Sequence, residues 1–388
     1  MISLLSKIFI KEDGEMTEQM RKAYGSLCSI VGICLNVFLF GIKYFAGTIS
    51  GSIAITADAF NNLSDAGSSF ITLIGFWYAG KKPDIEHPFG HGRFEYVSGF
   101  VVSMAILLMG AELAKSSIEK MIHPQEIDTS NLAMAILVIS IGIKIYMAFY
   151  NKKIGKKIGS AAMEATSLDS LSDTIATSVV LFSMVIMRFT GVNIDGICGV
   201  LVAIFILYAG YSAAKETMNP LLGKVPDSEF VEKIEQIVMA HTGVVGTHDL
   251  IVHDYGPGRR MISLHVEVPG DGDIFLMHDM IDLIERELKE KLGCEAVIHM
   301  DPIEMDNELA KDVRRRLAEQ LKMIEETITI HDFRMVSGPT HTNLIFDVVV
   351  PYNIKLSDEE VAEQVQAQVQ KLDSSYIAVI NIDKAYVK

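Results

Sequence analysis

The stretch Ala57-Asp58-Ala59-Phe60-Asn61-Asn62-Leu63-Ser64-Asp65 decides the fold, because it lies inside the apolar run Ser52–Ala79. A membrane helix needs ~20 apolar residues, and this run exceeds that. Yet its core holds two carboxylates and two amides. On a helix Asn61 and Asp65 stack on one face, with Asp58 a turn earlier on nearly the same face. A carboxylate at membrane depth is costly and marks an ion path, a proton relay or a buried pair. A second run, Ala161–Met187, answers with Asp169-Ser170-Leu171-Ser172-Asp173. Turned toward each other, the two faces offer four oxygen donors: Asn61, Asp65, Asp169 and Asp173. The competing reading is interhelical hydrogen bonding by stray polar groups. The recurrence of the same spacing in two runs weighs against it.

Six apolar runs approach membrane length: Gly25–Ala46, Ser52–Ala79, Tyr96–Leu113, Leu132–Tyr150, Ala161–Met187 and Ile194–Ala214. Lys7, Lys11, Arg21 and Lys22 precede the first. Lys81, Lys82 and Arg93 follow the second, and Lys152, Lys153, Lys156 and Lys157 follow the fourth. The alternate connections are poor in Lys and Arg, so the positive-inside rule places both termini in the cytoplasm. Residues 1–23 read as a cytoplasmic, interfacial segment with no small-residue cleavage site. Residues 24–222 read as a six-helix membrane domain. Asn219-Pro220 stops the sixth helix, since proline lacks the backbone donor.

Composition fits a membrane part joined to a soluble part. Hydrophobic residues make up 49%, charged residues only 21%, and mean hydropathy is +0.30. The net charge of −15 is concentrated: residues 224–388 hold 31 Asp/Glu against 17 Lys/Arg. An acidic tail argues against nucleic acid and suits cations, although plain solubility accounts for such charge equally well. Cys28, Cys34, Cys198 and Cys294 form no CxxC pair and read as small core residues in a reduced setting. No Walker lysine loop is present, which excludes a nucleotide-driven pump of that kind.

The tail alternates helix and strand, and then repeats. His248-Asp249-Leu250 recurs as His331-Asp332-Phe333, and Gly256-Pro257 as Gly338-Pro339. Ala296-Val297-Ile298-His299-Met300-Asp301 recurs as Ala378-Val379-Ile380-Asn381-Ile382-Asp383. Order, turns and spacing agree, so residues 223–303 and 304–388 read as a duplicated α+β domain, a sheet with helices on one face.

The membrane donors are hard oxygens, a set that favours Mn²⁺, Mg²⁺ or Ca²⁺ over metals preferring imidazole or thiolate. Three carboxylates around a divalent ion leave one surplus negative charge. Without the ion they repel and take up protons, which is a route to exchanging metal for protons. After the second run, Asp84, His87 and His91 sit three and four apart. Pro88 and two glycines break any helix there, and histidines paired with Glu86 and Glu95 are the alternative.

These motifs together resemble the cation diffusion facilitators, a family of divalent-metal efflux transporters. The resemblance runs in order over roughly residues 20–303. It rests on the helix-two motif ending at Asp65, the loop His87-Pro88-Phe89-Gly90-His91-Gly92-Arg93-Phe94-Glu95, Asp169 with Asp173, Gly246-Thr247-His248-Asp249, and His299-Met300-Asp301-Pro302. It implies six membrane helices with a cytoplasmic metallochaperone-like, ferredoxin-like α+β domain, here in tandem. It implies a transport site at Asn61, Asp65, Asp169 and Asp173, with Asp58 as an accessory. A loop site at Asp84, His87 and His91 follows, and a cytoplasmic site at His248, His265, His278, His299 and Asp301.

Zinc-transporting members generally place a histidine in the transport site. This chain has none and is similar to the manganese-type branch. The position where some relatives place an acid opposite Arg93 holds Leu222. In the second tail domain the matching positions read His331, Asp347, Glu360, Asn381 and Asp383, which favours a scaffold that enlarges the dimer contact over a second metal sensor.

The expected protein is therefore a homodimer in a bacterial-type plasma membrane, exporting Mn²⁺ from the cytoplasm in exchange for protons. It is not an enzyme and carries no prosthetic group. Divalent ions (Mn²⁺, Zn²⁺) serve as cargo or as regulatory ions, and no nucleotide or nucleic acid is bound. Fe²⁺, Zn²⁺ or Co²⁺ as cargo is the nearer alternative. A membrane-anchored metal sensor is the alternative of another class.

Overall fold

A computed structural model of the chain describes residues 2–10, 17–50, 53–123, 130–192, 194–303, 308–338, 340–351 and 353–385. The junction at 304–307, where the sequence places the boundary between the tail domains, and Pro339 lie outside the described residues. The chain divides into two compact units: Met1–Lys224 with Asp254–Arg259, and Val225–His253 with Arg260–Lys388.

The first unit is helical. A short α1 (Ile2–Phe9) precedes α2 (Glu18–Ser50), α3 (Ile53–Ala79), α4 (Phe94–Ile122), α5 (Asn131–Ile158), α6 (Ala161–Thr190) and α7 (Asp195–Met218). Five of these, α2 and α4 to α7, are long and apolar enough to cross a membrane. The sixth, α3, has 27 residues and is the polar-studded helix. The ends follow local chemistry. Ser130 and Ser160 cap α5 and α6 by accepting from the Ala133 and Met163 amides. Gly159, at φ 59°, closes α5 in the left-handed conformation that glycine adopts without strain. Helices α3, α4 and α6 approach closely because small residues meet. A side chain at Gly75 would run into Ser98, and one at Gly99 into Ala162. The Thr72 and Thr166 hydroxyls join α3 to α6 at 2.9 Å, and Ser167 donates to the Ala148 carbonyl of α5 at 2.7 Å. The three helices α3, α5 and α6 are thus pinned together beside the acidic residues.

The second unit contains two runs of the order αββαβ. The first is α8 (Ser228–Met239), β1 (Gly246–Asp254), β2 (Arg260–Pro269), α9 (Ile274–Leu292) and β3 (Cys294–Ile303). The second is α10 (Glu308–Leu321), β4 (Thr329–Ser337), β5 (Thr342–Pro351), α11 (Asp358–Leu372) and β6 (Tyr376–Ala385). Each forms a three-stranded sheet with the second strand central. The central and last strands pair in parallel with equivalent register: His265 opposite His299, and Asp347 opposite Asn381. Alternation buries one sheet face against the helices. Ile262, Leu264, Val266 and Val268 pack on Ile234, Ile284 and Leu288, as Leu344, Phe346, Val348 and Val350 pack on Leu317, Val361 and Val365. The opposite face carries the polar residues. A helical membrane part followed by α+β structure with two small sheets is the architecture expected from the sequence.

One smaller expectation is corrected. Cys34 is exposed on α2 and is not a core residue, whereas Cys28 and Cys294 are buried. Ile2 and Ile10 are buried in one apolar cluster with Tyr24 and Cys28 of α2, Phe76 of α3 and Tyr150 of α5, and the Ile2 amide donates to the Tyr146 hydroxyl of α5 at 3.0 Å.

Candidate metal sites

On α3 and α6 the structure brings Asp65, Asp169 and Asp173 together, with one oxygen from each within 4.8 Å of the others. Asp65 and Asp169 are each 4% exposed. Between them sits a residue the sequence reading missed. Lys144 of α5, fully enclosed, reaches Asp65 Oδ2 and Asp173 Oδ2 at 2.6 Å each. Lys144 lies near the middle of a 28-residue helix. Such a lysine is too far from either end to carry its ammonium to the interface, and that was the available signal.

The amide differs from the expectation too. Asn61 is exposed and makes no hydrogen bond among the described residues. Its neighbour Asn62 is buried and donates to Asp65 Oδ2 at 3.4 Å. Positions i−3 and i−4 both adjoin residue i on a helix, and the structure uses the first. Asp58 is paired elsewhere, at 2.8 Å from the buried Lys43 of α2.

In the connection between α3 and α4, Asp84 gathers both histidines. His87 Nδ1 and His91 Nε2 each stand 3.4 Å from its carboxylate, and the His87 amide donates to it at 2.7 Å. That amide bond, more than the imidazoles, holds the Asp84 carboxyl below its ordinary range. Asp84 and His87 are exposed while His91 is buried, and Gly90 (φ 83°) makes the turn that folds the two histidines together. Arg93 has a partner other than position 222. Its guanidinium donates twice to the Asp254 carbonyl, at 2.9 and 2.8 Å, within the first unit.

In the second unit Asp301 is the hub. His265 Nδ1 lies 2.9 Å from it, and His248 Nε2 and His299 Nε2 lie 3.3 Å from it. Burial opposes a charge on His248, but Asp249, Asp301 and Glu267 outweigh it and raise its pKa. His278 is not brought to this cluster. It is exposed on α9, 3.6 Å from Asp282 one turn away.

A further group joins the two sheets: Asp249, His331, Asp347 and Asp383 each place one donor atom within 4.8 Å of the others. Burial first, and Asp383, Asp332 and Asp249 after it, push the Asp347 carboxyl up to about 6. Glu360, which the sequence aligned with a ligand position, instead completes a capping box with Ser357 at the start of α11.

Among known proteins, the family model described as the cation efflux transmembrane domain matches residues 29–222. The one described as the cation efflux protein cytoplasmic domain matches residues 226–303. An uncharacterised transporter of Methanocaldococcus jannaschii is 32% identical over 279 residues, which is 72% of this chain and 97% of that protein. The cation-efflux pump FieF of Salmonella typhi is 29% identical over 288 residues, covering 73% of this chain and 95% of the pump. The second αββαβ run begins beyond the residues that either family model matches. With the membrane and cytoplasmic models matched in order, and a relative 32% identical over most of its length, the chain belongs to the cation diffusion facilitator family of cation efflux transporters.

Proposed function

We propose that the protein is a secondary transporter that exports Mn²⁺ from the cytoplasm in exchange for protons, working as a homodimer with both termini cytoplasmic. The observation that carries this reading is the membrane cluster, in which every donor is an oxygen and a fixed ammonium stands among the acids. Asp65, Asp169 and Asp173 supply three negative charges and Lys144 one positive charge. A divalent ion brings the site to neutrality, and two protons do the same when the ion has left. Neutral states on both sides of the exchange avoid the cost of an unpaired charge in low dielectric. The absence of sulfur and imidazole from the donor set favours Mn²⁺ over the later metals. Helix rocking about this site then exposes it to either face in turn.

The reading is tested in sealed vesicles holding a pH-sensitive dye, with Mn²⁺, Fe²⁺, Co²⁺ and Zn²⁺ offered in turn. Mn²⁺ uptake accompanied by two protons moving the other way supports it. Uptake led by another metal moves the cargo assignment. Flux without any proton movement sinks the antiport.

A further inference from the structure

We infer that the second αββαβ copy carries a divalent-cation site of its own, held by His331, Asp347 and Asp383 from that copy and by Asp249 reaching across from the first. Its three residues occupy the places that His248, His265 and Asp301 hold in the first copy, one on each strand of the sheet. The two copies meet through equivalent residues. The His248 and His331 rings stack with centroids 4.0 Å apart and planes at 26°. Contact between a residue and its own counterpart is the mark of a two-fold relation, here built within one chain.

His331 is 7% exposed, and neither ring nitrogen has a hydrogen-bond partner among the described residues. Nε2 stands 3.6 Å from Asp249 Oδ1, and Nδ1 stands 3.8 Å from Asp347 Oδ2. Those separations are too long for hydrogen bonds. One ion takes only one nitrogen of the ring, and with one donor atom from each of Asp249, His331, Asp347 and Asp383 the four lie within 4.8 Å of one another, the spread expected of ligands at roughly 2.0–2.6 Å from a common cation. Asp383 repeats the pattern. Asn381 holds its Oδ1 at 3.1 Å, while its buried Oδ2 has no partner. A buried imidazole with both nitrogens unsatisfied is expensive unless something binds there. The site adjoins a cleft of about 880 Å³, bordered by Thr247, Glu267, Arg314 and Lys384, through which a hydrated ion can enter.

Asp249 explains why a second copy alone looks deficient. The copy has one imidazole where the first has three, and it recovers a fourth donor from its neighbour. Asp249 holds φ 52°, and its counterpart Asp332 holds φ 48°. A side chain other than glycine is strained in this region and persists there only where its surroundings impose it. One imidazole with three carboxylates is a hard-to-borderline donor set, suited to Mn²⁺, Fe²⁺ or Zn²⁺.

The test is equilibrium binding of Mn²⁺, read by electron paramagnetic resonance on the metal-stripped full chain in detergent, then repeated with Zn²⁺ by dialysis. Asp347→Asn and His331→Ala should each lose one ion per chain relative to the unaltered protein. His299→Ala should lose a different one, and the double variant with Asp347→Asn should lose both. Asp347→Asn removes charge without changing volume, so its melting temperature checks that the fold survives. If folded Asp347→Asn and His331→Ala bind as many Mn²⁺ and Zn²⁺ ions as the parent, with unchanged affinity, the second copy is a scaffold and the inference fails. Binding is read without a gradient, so the result is independent of whether the protein exports Mn²⁺.

Discussion

The membrane cluster and the tail clusters both gather carboxylates, but among the described residues only the membrane cluster keeps a fixed cation. Lys144 bridges Asp65 and Asp173. Among the described residues, no lysine or arginine forms an ion pair with Asp249, Asp301, Asp347 or Asp383; the first three face imidazoles, and Asp383 accepts from the Asn381 amide. The difference follows from the surroundings. Inside a bilayer, carboxylates have no water to turn to, and a tethered ammonium answers the charge. In the tail, imidazoles stand against the carboxylates instead.

The sharpest way to break this comparison is to remove a membrane donor. Asp65→Ala, Asp169→Ala and Asp173→Ala should each lower Mn²⁺ uptake in vesicles by at least about a hundredfold, since no bulk water replaces a strong ligand there. Near-normal uptake by Asp169→Ala would remove α6 from the site.

Lys144→Met should act in the opposite sense on stability. It leaves the buried Asp65 and Asp169 and the half-buried Asp173 unanswered, and breaking a buried ion pair by removing one partner costs about 3–5 kcal/mol. The metal-free protein should melt lower, and Mn²⁺ should restore it by a larger increment than in the parent. Equal Mn²⁺ increments in both proteins would mean that lysine and metal do not share the same charge balance. Cargo preference is a smaller effect. Asp169→His should shift uptake toward Zn²⁺ by roughly tenfold, because imidazole strengthens binding of the later metals. A preference unchanged by this substitution places the filter elsewhere.

The membrane acids were legible because a four-residue spacing in two apolar runs has little other use. Asp65, Asp169 and Asp173 accordingly meet in the structure. Lys144 was overlooked because a single lysine carries no period, although its central place on α5 was visible. The choice between Asn61 and Asn62 depends on a rotation of one residue, which sequence spacing resolves poorly. The tandem αββαβ order was legible in the repeated turns and strands. Asp249 as a donor to the second copy was not, because aligning the copies pairs it with Asp332, whereas folding brings it to His331. The Ser357-to-Glu360 spacing was a readable capping signature that outranked the aligned ligand position.

The smallest effect separates charge from metal in the second copy. Burial first, and the neighbouring acids after it, hold the Asp347 carboxyl at about 6, well above the ordinary 3.8 it regains on unfolding. At pH 7.5 it is ionised in both states, and its native neighbours Asp383 and Asp249 penalise the folded form. As pH falls through about 6 the native carboxyl takes up a proton before the unfolded one does, so this group's penalty fades. His331, whose own pKa is held down by burial and by His248, opposes the trend in the same range, so the parent alone gives a blurred profile. The difference between parent and Asp347→Asn isolates the carboxyl. With metal chelated, Asp347→Asn should melt above the parent at pH 7.5, and the gap should narrow through pH 6 and close near pH 4. A gap that is constant with pH would mean that neither burial nor the other acids hold the Asp347 carboxyl up, and the charge contrast between membrane and tail would lose its titratable side.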